Sequence, residues 1–126
     1  MYNHLLIVAA GGALGSGLRH LTNIAAARLF GTGFPWGTIT VNIAGSFIMG
    51  VFIEMLARRW GASMELRLFV ATGFLGGYTT FSAFSLDAAV LYERGALGQA
   101  FAYVAASVVA SIGALFLGLW LARSVA

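Results

Sequence analysis

The chain has 126 residues, 60% of them hydrophobic and 9% charged, with a net charge of +3 and no cysteine. That composition cannot cover a compact water-soluble domain with polar surface, so the chain reads as a bilayer protein. Seven arginines with no lysine exclude a Walker-type phosphate loop, the lack of cysteine excludes disulfides and thiolate metal sites, and an excess of three charges at the ends of apolar runs does not describe a nucleic-acid-binding surface.

Four apolar runs, approximately 5–29, 38–57, 68–91 and 96–122, each approach or exceed the about 20 residues that cross about 30 Å of hydrocarbon as a helix. They predict an all-α integral membrane protein, a single transmembrane domain over 1–126 with both termini on one side. The first run is read as part of the mature protein, because Met1 to His4 lacks the Lys or Arg of a signal peptide and the run continues past any cleavage site. Gly11 and Gly15 stand at G-x-x-x-G spacing, which lets another backbone approach closely. The surrounding glycines do not fit G-x-G-x-x-G, so nucleotide chemistry has no support. Only His4 and His20 offer imidazole, too few for a transition-metal site.

In the second run Asn42 sits about one turn in. A polar group in hydrocarbon costs several kcal/mol unless satisfied, so Asn42 either bonds across to another helix or lines a path for a solute. Glu54, near the end of this run, is four residues from Arg58 and suits an interfacial ion pair.

The third run contains the segment Gly73-Phe74-Leu75-Gly76-Gly77-Tyr78-Thr79-Thr80-Phe81-Ser82-Ala83-Phe84-Ser85. Gly76 and Gly77 are poor helix formers and Thr79 or Thr80 is a good N-cap, so this span is expected to break, its first half ending near Leu75 and its second starting near Phe81. Backbone exposed at mid-membrane is tolerated where it is buried in protein or lines a cavity, where its carbonyls can hold a cation and a half-helix N-terminus can face an anion. Phe81 and Phe84 lie three apart on one face beside Ser82 and Ser85. Their ring edges carry the positive part of the quadrupole and can meet an anion, although two Phe at this spacing also suit lipid or core.

In the fourth run Tyr103, Ser107 and Ser111 recur every fourth residue and form a hydroxyl stripe. The stripe could conduct an ion, or its serines could bond back to carbonyls one turn earlier. Ala106, Ala110, Ala114 and Gly118 form a small-residue ridge beside it, expected to meet a partner chain. Arg58, Arg59, Arg67 and Arg123 fall on the side of the termini, and Arg28, Arg94 and Arg19 toward the other. A bias this weak permits insertion both ways up and an antiparallel homodimer.

The third-run segment, the run Pro35-Trp36-Gly37-Thr38-Ile39-Thr40-Val41-Asn42, and an opening that ends in Arg19-His20 resemble, in order and spacing, the Fluc (CrcB) family of bacterial fluoride channels over essentially the whole chain. The resemblance implies an antiparallel dual-topology homodimer in the bacterial plasma (inner) membrane, with two fluoride pathways. It also implies a structural Na+ at the dimer centre, held by backbone carbonyls of Gly76 and Thr79. It places Asn42, Phe81, Ser82, Phe84, Tyr103, Ser107 and Ser111 on the fluoride pathway and Arg19 at its vestibule. Ala83 stands where the family often has threonine, a departure that bears on rate rather than on the ion, and Leu115 ends the hydroxyl track. The implied activity is passive, non-enzymatic conduction that exports fluoride from the cytoplasm and relieves its toxicity.

Two other classes compete. A small four-helix proton-coupled cation or multidrug exporter would place a glutamate in span one, which has no acid; Glu54 and Asp87 are the acids nearest to such a role. A non-transporting scaffold subunit would use the same small-residue faces and would need no broken span.

Overall fold

The computed structural model describes residues 2–56 and 63–125. Helix α1 spans Tyr2–Phe30, α2 Trp36–Met55, α4 Ser82–Glu93 and α5 Leu97–Val125, while α3 is built from consecutive segments Met64–Arg67, Leu68–Leu75 and Gly76–Tyr78. The middle segment of α3 is π-helical, and beyond it the Gly76 N–H still reaches five residues back to the Ala71 carbonyl. Three helices, α1, α2 and α5, are each long and apolar enough to cross a membrane by themselves. The remaining crossing is made by α3 and α4 with a break between them, so the four-span layout holds. Arg58 and Arg59, and the end of the second span at Ala57, lie outside the described residues.

Punctuation between helices follows from the local sequence. Gly31 and Gly95 have φ of +81° and +78°, a left-handed turn that a side chain disfavours, and each stands just past a helix end. After α4 the Gly95 N–H bonds to the Tyr92 carbonyl and the Ala96 N–H to the Leu91 carbonyl, which closes the last turn and starts α5 within three residues. At the start of α3 the Ser63 hydroxyl accepts from the Leu66 N–H at 3.3 Å, and Glu65 places negative charge in the first turn.

The contact register gives the topology. Asn23 meets Gly37, so α1 and α2 run antiparallel; Gly11 meets Gly73 and Gly15 meets Tyr78, so α3 runs parallel to α1. Gly118 meets Val51, so α5 runs parallel to α2, and both termini fall at one end. An ion pair between Arg123 and Glu54 and a contact between His4 and Glu65 at 3.7 Å tie that end, while Arg94 donates to the Gly33 carbonyl at 2.9 Å at the other. Glu54 thus pairs across to α5, a long-range partner that the four-residue spacing to Arg58 did not suggest.

The small-residue ridges pack differently from the sequence expectation. A Cβ at Gly15 would stand 2.8 Å from the Tyr78 nitrogen and overlap the Phe74 carbonyl oxygen, and one at Gly77 would stand 2.7 Å from the Gly12 carbonyl oxygen. The G-x-x-x-G face is therefore consumed inside the chain by α3. Gly118 is likewise buried against α2, 2.9 Å from the Val51 nitrogen by the same measure, whereas Ala106 is exposed. In lipid, which is as apolar as the side chains, this close approach is the packing term that holds helices together.

Gly15→Ala should force α1 and α3 apart at a cost of about 1 to 3 kcal/mol, since the obstructing atoms are backbone. The expected reading is a lower melting temperature of the detergent-solubilised protein, against a Gly98→Ala control whose added methyl meets nothing within 4 Å.

Candidate functional site

Everything at the break is arranged around Thr79 to Phe81. The glycine pair does not break the helix: Gly76 and Gly77 stay helical, because Gly77 is needed for contact with α1, and the chain leaves the helix three residues later than expected, after Tyr78. Thr79 is extended, with φ −84° and ψ 161°. Its N–H and its hydroxyl both go back to the Leu75 carbonyl, at 2.9 and 2.8 Å. Thr80 acts as the cap of the second half-helix, its hydroxyl accepting from the Ala83 N–H at 3.1 Å.

The Thr80 peptide groups are satisfied from α2. Asn42 donates through Nδ2 to the Thr80 carbonyl at 3.0 Å and accepts through Oδ1 from the Thr80 N–H at 2.9 Å. In a continuous helix that N–H would close on the Gly76 carbonyl four residues back. Its capture by Asn42 leaves the Gly76 carbonyl without its helical donor. One turn further along α2, Gly45 makes room for the Thr79 methyl group, which a Cβ at that position would overlap.

A cavity of about 300 Å³ opens beside the break, lined by Asn42, Ser46, Thr79, Thr80, Phe81, Phe84, Ser107, Val108, Ser111 and Ile112. Five of the seven residues expected on the pathway therefore meet at one place. The two phenyl rings are in contact, centroids 5.6 Å apart, but they are not equivalent: Phe81 is 77% exposed in the single chain and Phe84 belongs to the core.

Ser107 and Ser111 of α5 depart from the usual behaviour of hydroxyls in these helices. Thr22, Thr40, Thr79, Ser85 and Ser124 all bond back to the carbonyl one turn earlier. Ser107 and Ser111 do not; their hydroxyl oxygens are buried and have no hydrogen-bond partner among the described residues. Two such donors on the wall of one cavity leave a polar demand that a solute can meet.

Tyr103, Ser82 and Arg19 stand apart from this cavity. Tyr103 is fully buried, its ring tilted against Phe84 at 5.2 Å and edge-on at 5.4 Å to Phe34, and its hydroxyl donates to Asp87 Oδ2 at 3.2 Å. Ser82 is exposed, its hydroxyl 3.3 Å from that of Thr80. Arg19 is half-buried on α1 and lines neither this cavity nor a second one of about 350 Å³ at the end away from the termini. That second cavity is lined by Asn23, Thr38, Asp87 and Arg94 among others. Asp87 as the partner of Tyr103, and Ser46 on the cavity wall, escape the sequence reading. Asp87 and Tyr103 face each other only because a tight turn folds α4 back onto α5, and Ser46 only gains meaning one turn beyond Asn42.

Comparison with known proteins gives the family. Residues 6–119 match the family described as CrcB-like protein, Camphor Resistance (CrcB). A relative from Chelativorans sp. is 64% identical over 122 residues, covering 97% of this chain and 98% of its own, and one from Mesorhizobium japonicum is 64% identical over 124 residues, covering 98% of each. A third, from Agrobacterium fabrum, is 55% identical over 121 residues, covering 96% of this chain and 97% of its own; all three are named fluoride-specific ion channel FluC. With its broken third span, its cavity and near full-length matches at these identities, the chain belongs to the CrcB family.

Proposed function

We propose that the chain is a passive, fluoride-selective channel that exports fluoride from the cytoplasm across a bacterial inner membrane and so gives resistance to fluoride. The observation that carries this reading is the pair of buried hydroxyls of Ser107 and Ser111, without partners among the described residues, on the same cavity wall as Asn42, Phe81 and Phe84. The names of the relatives supply the ion.

The chemistry suits fluoride. A small, strongly hydrated anion must exchange water for other donors, and neutral donors bind it without trapping it. Ser107 and Ser111 each offer a hydroxyl, and Asn42, with one amide hydrogen committed to Thr80, keeps its second. The edges of Phe81 and Phe84 add weak positive character without a fixed charge. Arg19, outside the cavity, acts at a distance by raising the local anion concentration near an entrance. Ser82 serves as a flanking hydroxyl, and Tyr103, its proton held by Asp87, bounds the path behind Phe84. Hydrofluoric acid that enters from acidic surroundings dissociates in the more alkaline cytoplasm, and the anion leaves down its electrochemical gradient.

An antiparallel dual-topology homodimer is supported by the same residues. Irregular backbone at membrane depth must be buried in protein or line a cavity, yet Gly76 and Phe81 are exposed on the single chain. A second copy would cover them and bring two breaks together. The Gly76 carbonyl, freed of its helical donor, and the Thr79 carbonyl in the extended link are neutral hard oxygens suited to Na+. When bound, the ion would supply a positive charge and a cross-link at the dimer centre.

Purified protein in liposomes under a potassium/valinomycin potential, without a pH gradient, should release fluoride rapidly and retain chloride. Fluoride release that requires a proton gradient would transfer the reading to coupled transport through Asp87 or Glu54.

Ser107→Ala with Ser111→Ala should lower fluoride efflux about tenfold or more, the equivalent of one neutral hydrogen bond lost at the barrier. Because these hydroxyls bond to nothing among the described residues, the melting temperature should hold or rise. Phe81→Ile or Phe84→Ile should cut flux while size-exclusion chromatography still shows the dimer.

A further inference from the structure

We propose that Asn42 is a positioning residue for the cation site: by capturing the Thr80 N–H it converts the Gly76 carbonyl from a helical acceptor into a free ligand. The inference rests on the channel reading above, with its Na+ at the dimer centre, and assigns Asn42 a second task beside that of anion donor.

The geometry points to this through the fate of successive donors. The Thr79 N–H and hydroxyl both return to the Leu75 carbonyl, at 2.9 and 2.8 Å, so the helix closes normally up to that residue. The next N–H, of Thr80, lies 2.9 Å from Asn42 Oδ1 instead of closing on Gly76. Nδ2 of the same amide holds the Thr80 carbonyl at 3.0 Å, which fixes both peptide planes that flank Thr80. Gly76 carries no side chain and is exposed on the single chain. Asn42 also lines the anion cavity, so one carboxamide belongs at once to the pathway and to the frame of the cation site. A side chain that acted only as an anion donor would need neither of these two backbone contacts.

The test uses the full chain with 15N-labelled threonine, purified in detergent without fluoride, and the probe is sodium chloride titrated against N-methylglucamine chloride at constant ionic strength. In the wild type the Thr80 amide should exchange with deuterium slowly, and sodium should shift the Thr79 and Thr80 resonances. Asn42→Leu keeps the side-chain volume and removes the amide. It should speed Thr80 exchange about tenfold and raise the half-saturating sodium concentration about tenfold, the scale of one neutral hydrogen bond, while the dimer persists. A general packing role would alter stability without moving sodium affinity.

Wild-type sodium affinity and Thr80 exchange in Asn42→Leu would overturn the proposal. If that variant does not assemble, the wild type decides alone: slow exchange at Thr80 supports the clamp, and exchange as fast as at an exposed amide overturns it. Fluoride efflux of the wild type, measured in parallel, separates the two readings. A non-conducting chain with a normal sodium shift loses the channel reading and keeps the clamp, whereas a conducting chain with unchanged sodium affinity in Asn42→Leu loses the clamp alone.

Discussion

A peptide that leaves the helix inside a bilayer has no water to satisfy its N–H and C=O, and each unmet group costs several kcal/mol. Here one carboxamide, that of Asn42, meets both groups of Thr80, and the rest of the site depends on that pairing. It allows α3 to end at Tyr78 and α4 to start at Ser82, which turns the two phenyl rings of Phe81 and Phe84 onto one cavity. An apolar side chain at position 42 would leave two backbone groups unmet at the same depth. A charged one would put a fixed charge beside an ion path.

Glycine contributes by allowing contact rather than by breaking helices. Gly11, Gly15, Gly73 and Gly77 let α1 and α3 touch backbone to backbone, and Gly118 does the same for α5 on α2. These contacts pair the helices in parallel, α1 with α3 and α2 with α5. The break therefore projects from one pair toward the other, where Asn42 and Gly45 of α2 receive it. The scaffold is stiff where the chain is regular, and the site occupies the seam between the pairs.

Much of this was legible in the sequence because hydropathy and span length report directly on the bilayer. The four crossings, the irregularity in the third and the Ser107–Ser111 stripe all follow from period and polarity. The position of the break was not legible, since Gly76-Gly77 has the same local signature whether it ends a helix or packs against Gly12, and only the neighbouring helix decides. The small-residue ridges read as partner contacts for the same reason: spacing reveals close approach but not which backbone approaches. Glu54 with Arg123 and Asp87 with Tyr103 are long-range in sequence, and no local pattern joins them.

The hydroxyl stripe itself divides into two functional parts. Ser107 and Ser111 line the cavity without partners among the described residues, whereas Tyr103 spends its proton on Asp87 and is packed behind Phe84. The aromatic pair of Phe84 and Tyr103 thus stands between the cavity that holds the free hydroxyls and the one that holds the carboxylate. A carboxylate facing a dehydrated anion in a low-dielectric seam would oppose its passage strongly, and a phenol already committed to that carboxylate has no proton left for the anion. Along α5 the order of groups is therefore Ser111 and Ser107, whose hydroxyls have no partner among the described residues, and then the aromatic wall of Phe84 and Tyr103. On the pathway proposed above, that order would give the phenylalanine edges the task of meeting the ion where the hydroxyls stop being free.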